Sequence, residues 1–188
     1  AGRWIGELGL GGAFGRGRPP FLLDNSPLRR YLAPRINFTR IRELLRRKDL
    51  EGLGLTVTNY ATGSAITFFE ASGERQPWAR SQRLGLRAEL KLEHVLASTA
   101  IPIVFPAVRI GQSFYGDGSV RMKAPLSPAI HLGADRLLVV GVRAPDAVGT
   151  GEGSTDEAPS AGQLFGFMLD TLFGDQVDAD LEVLARVN

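Results

Sequence analysis

The sequence predicts an α/β fold in which a layered sheet packs against helices. Stretches rich in strand-forming residues alternate along the chain with stretches whose apolar residues follow helical spacing. Leu53–Tyr60 and Arg136–Val142 are the most apolar strand candidates, which is typical of strands buried inside a sheet. With 44% hydrophobic and 22% charged residues among 188, the composition is that of one globular domain of ordinary size.

The composition also excludes several classes of function. The chain has no cysteine, which excludes disulfides, a catalytic thiolate and cysteine-ligated zinc. His94 and His131 are the only histidines, so we expect structural histidines, no metal site and no cofactor. No apolar run in the sequence approaches the ~20 residues of a membrane-spanning helix.

The first elements are a surface segment and two helices. Residues 1–21 are rich in glycine and arginine, and they lack the Gly-Lys-Ser/Thr of a phosphate-binding loop because the first lysine is Lys48. Ser26-Pro27 predicts the start of a short helix that ends at Tyr31, since proline is tolerated in a first turn. Asn37 is the expected cap of a longer helix, Phe38–Lys48.

The middle of the chain predicts two paired strands, a loop and a helix. Leu53–Tyr60 is followed by a Gly63-Ser64 turn and by a second strand, Ala65–Phe69. Residues 74–83 are polar and predict a loop, and Glu89–Ser98 has the apolar spacing of a helix. Pro102 and Pro106 prevent that helix from continuing.

The last third predicts a hairpin, a helix and a strand before two terminal segments. Val108–Tyr115 is typical of a hairpin that turns at Gly111-Gln112. Pro125–Leu132 predicts a helix with Gly133 at its end, and Arg136–Val142 predicts a buried strand. We expect residues 144–160 to form a flexible acidic linker and residues 161–188 to form a helical segment.

The charge is polarised along the chain, although the formal net charge is only +2. Residues 1–48 contain 11 Lys and Arg against 3 Asp and Glu, whereas residues 144–188 contain one Arg and nine Asp and Glu. A basic segment can attract phospholipid headgroups or nucleic acid, or it can simply be a solvated helix face neutralised by the acidic tail. No nucleic-acid-binding motif accompanies the arginines, so we expect no nucleic-acid partner.

Asp117 is the residue most suggestive of chemistry. It lies between Gly116 and Gly118 at the end of a predicted strand, where glycines allow a sharp turn and the close approach of another group. A carboxylate in such a place suits a catalytic base, but it also suits a structural Asx turn, which is the commoner use of such a tripeptide. The tripeptide alone leaves both interpretations open.

The surroundings of Asp117 resemble those of the catalytic aspartate in patatin-like phospholipases. The similarity rests on the run ASTAIPIVFPAV at residues 97–108, on YGDGS at 115–119 in place of that family's Asp-Gly-Gly motif, and on PLSPAI and GADRLLVV at 125–130 and 133–140. LLDNSPL at 22–28 and VTNY at 57–60 are similar to bacterial members. The resemblance spans Leu22–Val142, and the order and spacing of the motifs carry it.

The resemblance implies a three-layer α/β/α fold and a serine lipid acyl hydrolase that cleaves carboxylic esters with a Ser–Asp dyad and no histidine. In such an enzyme Asp117 would be the base and orienting partner of the serine, with Gly116 and Gly118 supporting the motif. The implied substrate is a lipid or another ester, and contact with a membrane surface from its periphery is an implied possibility. The lack of cysteine and of a signal segment in the sequence leads us to expect a cytoplasmic or membrane-peripheral location.

The departures from the family pattern concern the nucleophile. No serine in the sequence has glycine two residues before and two residues after it; Ser113 has Gly111 before it but Tyr115 after it. Ser119 also replaces the second glycine of the Asp-Gly-Gly motif. We therefore expect residues 22–143 to be the C-terminal portion of a patatin-like domain, without the N-terminal strands, oxyanion loop and nucleophile elbow, which a missing N-terminal half would supply. The alternative is a non-catalytic remnant that acts as a lipid- or protein-binding module.

Overall fold

The computed structural model describes residues 21–122 and 124–140, together with residues 160, 162 and 166. The chain divides after Gly118 into two compact units. The expectations for the N-terminal surface segment, the acidic linker and the C-terminal helical segment fall almost wholly on residues outside the described ones. Among the described residues, no helix has the length and apolar character needed to cross a membrane.

The first unit begins with two helices, α1 (Ser26–Leu32) and α2 (Phe38–Arg47). Helix α2 starts where the Asn37 side chain accepts a hydrogen bond from the Arg40 N–H at 2.9 Å, so the predicted cap is confirmed. It ends at Lys48, whose φ of 63° is left-handed and whose N–H is bonded to the last carbonyls of the helix.

The remainder of the first unit is built around one mixed sheet of six strands. The strands are β1 (Gly52–Asn59), β2 (Ala65–Ala71), β3 (Trp78–Arg80), β4 (Arg83–Arg87), β5 (Val108–Ile110) and β6 (Ser113–Asp117), in the spatial order β3-β4-β2-β1-β6-β5. Strands β2 and β4 run parallel, and the other neighbours are antiparallel. A sheet of this kind with packed helices confirms the predicted α/β class.

The central ladder joins β1 to β2, as the sequence predicts. Its register runs from Gly52 opposite Ala71 to Thr58 opposite Ala65. Val57 and Ile66 face each other in this ladder, and both belong to the buried core with Phe68. Phe69, which points to the other face of β2, is also fully buried, so this central strand is covered on both faces.

Two strands form where the sequence predicts loop or nothing regular. Strand β3 lies inside the polar stretch 74–83, and β4 follows it. The Trp78 ring stacks on Phe69 with 5.0 Å between ring centroids, and it lies so close to Gly85 that a Cβ there would overlap it. This packing explains why a stretch of polar residues joins the sheet, because the tryptophan supplies the apolar contact.

Helix α3 (Leu92–Ser98) packs against β1, β5 and β6. His94 in its first turn is 95% buried, and its Nδ1 accepts a hydrogen bond from the Lys91 N–H at 3.0 Å. Burial lowers the pKa of His94, so the ring is held neutral as a helix-capping and core residue. This arrangement supports the structural role expected of it.

The β5–β6 hairpin turns at Gly111, where the sequence predicts a turn and where φ is +61°. A left-handed φ favours glycine because other residues pay a steric cost there. The hairpin carries the chain from the core to Asp117 at the end of β6.

Between residues 124 and 140, the second unit contains the short helix α4 (Ser127–His131). Gly133 follows it with a φ of +99°, and its N–H bonds to the Ile130 carbonyl, as expected for a helix end. His131 Nδ1 lies 2.8 Å from the carbonyl oxygen of Ser127 in the same helix, which is a structural contact.

The prediction of a buried strand at Arg136–Val142 is wrong over its described part, residues 136–140. These residues form no regular element, and the side chains of Leu138 and Val140 are 91% and 85% exposed. An apolar run becomes a strand only when a neighbouring strand satisfies its backbone groups, and none of the six strands pairs with this segment.

Candidate functional site

Asp117 is the last residue of β6, which lies between β1 and β5. It is half-buried and lies opposite Val57 in the β1–β6 ladder. Because Val57 is fully buried, the register sets Asp117 at the rim of the core. The carboxylate therefore projects from a rigid strand end and not from a long loop.

Two hydrogen bonds fix the backbone of Asp117. Its N–H donates to the carbonyl oxygen of Ala100 at 2.9 Å, and its own carbonyl oxygen accepts from the Thr58 hydroxyl at 2.7 Å. Ala100 belongs to the 97–108 run and Thr58 to the 57–60 run, both of which carry the family resemblance. The motifs thus meet around the backbone of Asp117, although they are far apart in sequence.

The two glycines beside Asp117 are needed because other groups occupy the space of a side chain. A Cβ at Gly116 would overlap the phenol of Tyr60, and a Cβ at Gly118 would overlap the backbone carbonyl of Thr56. Neither glycine has a left-handed φ. The sequence suggests glycines for a sharp turn or for close approach, and close approach is the reason that the structure supports.

Tyr60 is a neighbour of Asp117 that sequence reasoning does not assign to the site. Its N–H donates to the Phe114 carbonyl at 3.1 Å, and the Asn59 side chain holds the following turn by accepting from the N–H of Ala61 and Thr62. Partial burial raises the pKa of the Tyr60 phenol, and the negative charge of Asp117 raises it further. Tyr60 therefore stays protonated near neutral pH, as a hydrogen-bond donor close to the carboxylate.

We expect an Asp117→Asn substitution to lower the pKa of Tyr60. Removing the carboxylate charge makes the phenolate less unfavourable, while the contribution of burial remains. The measurement is a pH titration of tyrosine side chains labelled with ¹³C at Cζ, followed by NMR on the 188-residue chain. Asp49→Asn, which removes an exposed carboxylate that pairs with Arg47, is the control and should leave the Tyr60 titration in place. An identical Tyr60 titration in parent and Asp117→Asn would contradict this geometry.

Two serines lie near Asp117 in the chain, and neither belongs to a Gly-x-Ser-x-Gly elbow. Ser113 begins β6, four residues before Asp117, which corresponds to about 13 Å along a strand. Ser119 lies in the single 3-10 turn Gly118–Val120 that follows the strand. The Thr99 hydroxyl donates to carbonyls within helix α3 and so caps the end of that helix.

Over residues 21–122 and 124–140, no three side chains of the metal-binding types cluster closely enough to hold an ion. The two histidines are engaged in contacts within or next to their own helices.

Comparison with known proteins identifies the family. The family model for patatin-like phospholipases matches residues 9–130, about two thirds of the chain, and the match includes Asp117 with both flanking glycines. No curated protein and no solved structure shows significant similarity. The match covers the six-stranded sheet and the elements that hold the backbone of Asp117. The chain therefore belongs to the patatin-like phospholipase family, a family of lipid acyl hydrolases.

Proposed function

We propose that this chain supplies the aspartate of a Ser–Asp dyad that hydrolyses the carboxylic ester bonds of a lipid. The observation that carries the proposal is the position of Asp117, a half-buried carboxylate at the end of a strand within the family-matched segment. Its two glycine neighbours have the role that the resemblance gives them, which is to support the motif around the carboxylate.

In the proposed reaction, the serine hydroxyl attacks the ester carbonyl and gives its proton to the Asp117 carboxylate. The C–O bond to the alcohol then breaks, and the departing alkoxide takes the proton from Asp117. Water hydrolyses the resulting acyl-serine ester by the same two steps, with Asp117 again accepting and returning a proton. The products are a carboxylic acid, an alcohol and free enzyme.

A carboxylate needs a special environment for this role because its ordinary pKa is about 3.9, which makes it a weak base in water. It becomes effective at short range, where the proton moves directly between two positioned oxygens. The fixed backbone of Asp117 favours such an approach, because it holds the carboxylate in one position. The phenol of Tyr60 lies against Gly116 and close enough to Asp117 to sense its charge, so it occupies part of the space next to the carboxylate.

The serine of the proposed dyad comes from a segment other than these 188 residues, since no serine among them lies in a Gly-x-Ser-x-Gly elbow. The resemblance also assigns the oxyanion donors to a glycine-rich loop that accompanies that elbow. The purified 188-residue chain should therefore leave p-nitrophenyl butyrate unhydrolysed, whereas the chain joined to a segment carrying the loop and elbow should hydrolyse it.

The control for this experiment is the same joined protein with the elbow serine replaced by alanine. A fluorophosphonate probe should label the joined protein and neither the control nor the 188-residue chain. Turnover of the ester by the 188-residue chain alone would refute the proposed division of the dyad.

A second candidate is a non-catalytic module that binds lipid or protein. The specific observation in its favour is the lack of a serine elbow in the sequence. The two candidates differ in one result: a binding module joined to the elbow segment would retain vesicle or protein binding without hydrolysing esters or reacting with the probe.

A further inference from the structure

We propose a second ligand site, separate from Asp117, in which a cationic cleft between helix α2 and the end of strand β2 binds the phosphate group of an anionic phospholipid headgroup. The site requires no turnover and therefore stands independently of the proposed dyad. We call it the α2–β2 cleft, and its principal lining residues are Arg42, Arg46, Lys48, Glu70, Gly73 and Arg87.

The cleft has the size of a ligand site and an excess of positive charge. Its volume is about 430 Å³, within the range of roughly 300–1,000 Å³ that is usual for small-molecule sites. Four of its lining residues are basic and one, Glu70, is acidic. Such a cleft attracts anions, and the effect weakens as salt increases.

The acidic residue of the cleft is already neutralised. Glu70 lies 3.5 Å from Arg42 Nε and also accepts a hydrogen bond from the Leu90 N–H. Arg42 makes a second ion pair with Glu89 at 2.8 Å. Arg42 therefore serves the fold, and the charge available to a ligand comes from the other three cations.

Those three cations, Arg46, Lys48 and Arg87, form no ion pair with any carboxylate in the described part of the chain. By contrast, Arg40 and Arg47, which belong to the same helix but do not line the cleft, pair with Glu43 and Asp49. The two α2 arginines outside the cleft thus have local counterions. Along helix α2 and its cap, the positive charge without a described carboxylate partner is therefore on the cleft side.

Arg87 is an exposed lining residue of the cleft whose guanidinium is held by two hydrogen bonds. Its two terminal nitrogens donate to the carbonyl oxygens of Ala71, at 3.4 Å, and Gly73, at 2.6 Å. A guanidinium has five N–H donors, so donors remain for a phosphate, and its planar fork suits phosphate oxygens.

The end of helix α2 is compatible with an anion in spite of its carbonyl groups. The C-terminus of a helix carries partial negative charge, which would repel a phosphate. Here the carbonyl of Leu44 accepts from the N–H groups of Lys48, Asp49 and Leu50, and that of Leu45 accepts from Lys48. These bonds reduce the exposed negative charge, while the Lys48 ammonium adds a positive one.

The cleft is distinct from the Asp117 site because the two lie beside opposite ends of strand β1. Asp117 lies opposite Val57 on β1, whereas Ala71 of the cleft lies opposite Gly52, five residues away. At about 3.3 Å per residue the separation is roughly 17 Å along the strand. A headgroup in the cleft therefore leaves Asp117 free.

The test compares two double variants that remove the same amount of charge from helix α2 and its C-cap. Arg46→Gln with Lys48→Gln removes two cleft cations, and Arg40→Gln with Arg47→Gln removes two cations outside it. Binding to phosphatidylcholine vesicles doped with phosphatidic acid is measured by co-sedimentation, with thermal unfolding to verify that both variants fold. We expect the cleft variant to bind about 20-fold more weakly, since each cation near an anionic surface contributes about fivefold, and the other variant to stay within about threefold of the parent.

Several outcomes would overturn the proposal. Equal losses of vesicle binding in both variants would show that total charge alone governs binding. A folded parent protein that does not bind the doped vesicles would show that the proposed lipid site does not exist. Cleft-dependent binding of a single-stranded oligonucleotide without vesicle binding would overturn the lipid assignment.

A second arm distinguishes a lipid headgroup from free phosphate. Inorganic phosphate is titrated into the labelled chain while the amide signals of the cleft residues are followed by NMR. Weak phosphate binding beside strong vesicle binding supports a lipid headgroup as the natural ligand. Tight phosphate binding that displaces the vesicles supports a soluble phosphate at the same cations, and no perturbation of cleft amides by phosphate or vesicles overturns the site.

Discussion

Replacing Asp117 by asparagine in the protein joined to a serine elbow is expected to lower ester hydrolysis by about 10²–10⁴-fold, the usual contribution of a positioned general base. Asparagine has nearly the same shape and keeps the backbone hydrogen bonds to Ala100 and from Thr58. It cannot accept the serine proton, because its amide is not basic. The measurement is the initial rate with p-nitrophenyl butyrate, accompanied by thermal unfolding to verify the fold.

Asp49→Asn is the matched control, since it removes one carboxylate from an exposed loop that pairs only with Arg47 among the described ion pairs. Its rate should equal that of the parent. If the folded Asp117→Asn protein kept full activity, Asp117 would be a turn residue and the proposed dyad would be wrong. A loss of activity together with a lower Tyr60 pKa would show that the carboxylate needed for hydrolysis is the one whose charge raises the pKa of the phenol.

The elements that the sequence predicts well are those whose signals are local. Asn37 caps its helix by a bond three residues away, and Gly111 turns a hairpin between adjacent strands. Strands β1 and β2 are also adjacent in sequence, so their antiparallel pairing follows from the short turn between them. In each case the residues that determine the element lie within it or next to it.

Elements that depend on distant partners are the ones that sequence patterns miss. Strand β4 pairs in parallel with β2, although β3 lies between them in the sequence. Trp78 joins the sheet by stacking on Phe69. Conversely, residues 136–140 are apolar enough for a strand but have no neighbour to pair with among the six strands. Local apolarity measures the tendency to be buried, and it does not identify the partner that makes burial possible.

In the candidate site, too, one residue can be predicted from local sequence and another cannot. Asp117 is identifiable from its own flanking glycines and from the motifs that resemble a known family. Tyr60 is not, because its phenol reaches Gly116 only through the pairing of β1 with β6, which brings together residues more than fifty positions apart. No tyrosine pattern in the sequence signals that contact. Two of the cleft cations, Arg46 and Lys48, belong to the basic stretch of the sequence, but the presence or absence of a counterion for each is a property of the fold.

Replacing Gly118 by alanine is expected to destabilise the first unit by about 3 kcal/mol, at the upper end of the usual cost of overpacking. The new Cβ would overlap the carbonyl oxygen of Thr56, which belongs to the backbone of central strand β1 and cannot move without breaking its ladders with β2 and β6. For a chain of this size the unfolding midpoint should fall by roughly 6–12 °C. The measurement is thermal unfolding followed by far-ultraviolet circular dichroism.

Two other glycines separate the possible causes of that loss. Gly116→Ala places its Cβ against the Tyr60 phenol, the end of a side chain that is 43% exposed and can move aside, so its cost should be smaller. Gly111→Ala meets no atom within 4 Å but keeps a left-handed φ, and should cost about 1 kcal/mol from backbone strain alone. If Gly118→Ala were no more destabilising than these two, the close approach of β1 to Gly118 would not be what requires glycine after Asp117. The ranking thus tests whether packing against β1, and not freedom to turn, fixes the residue that follows the carboxylate.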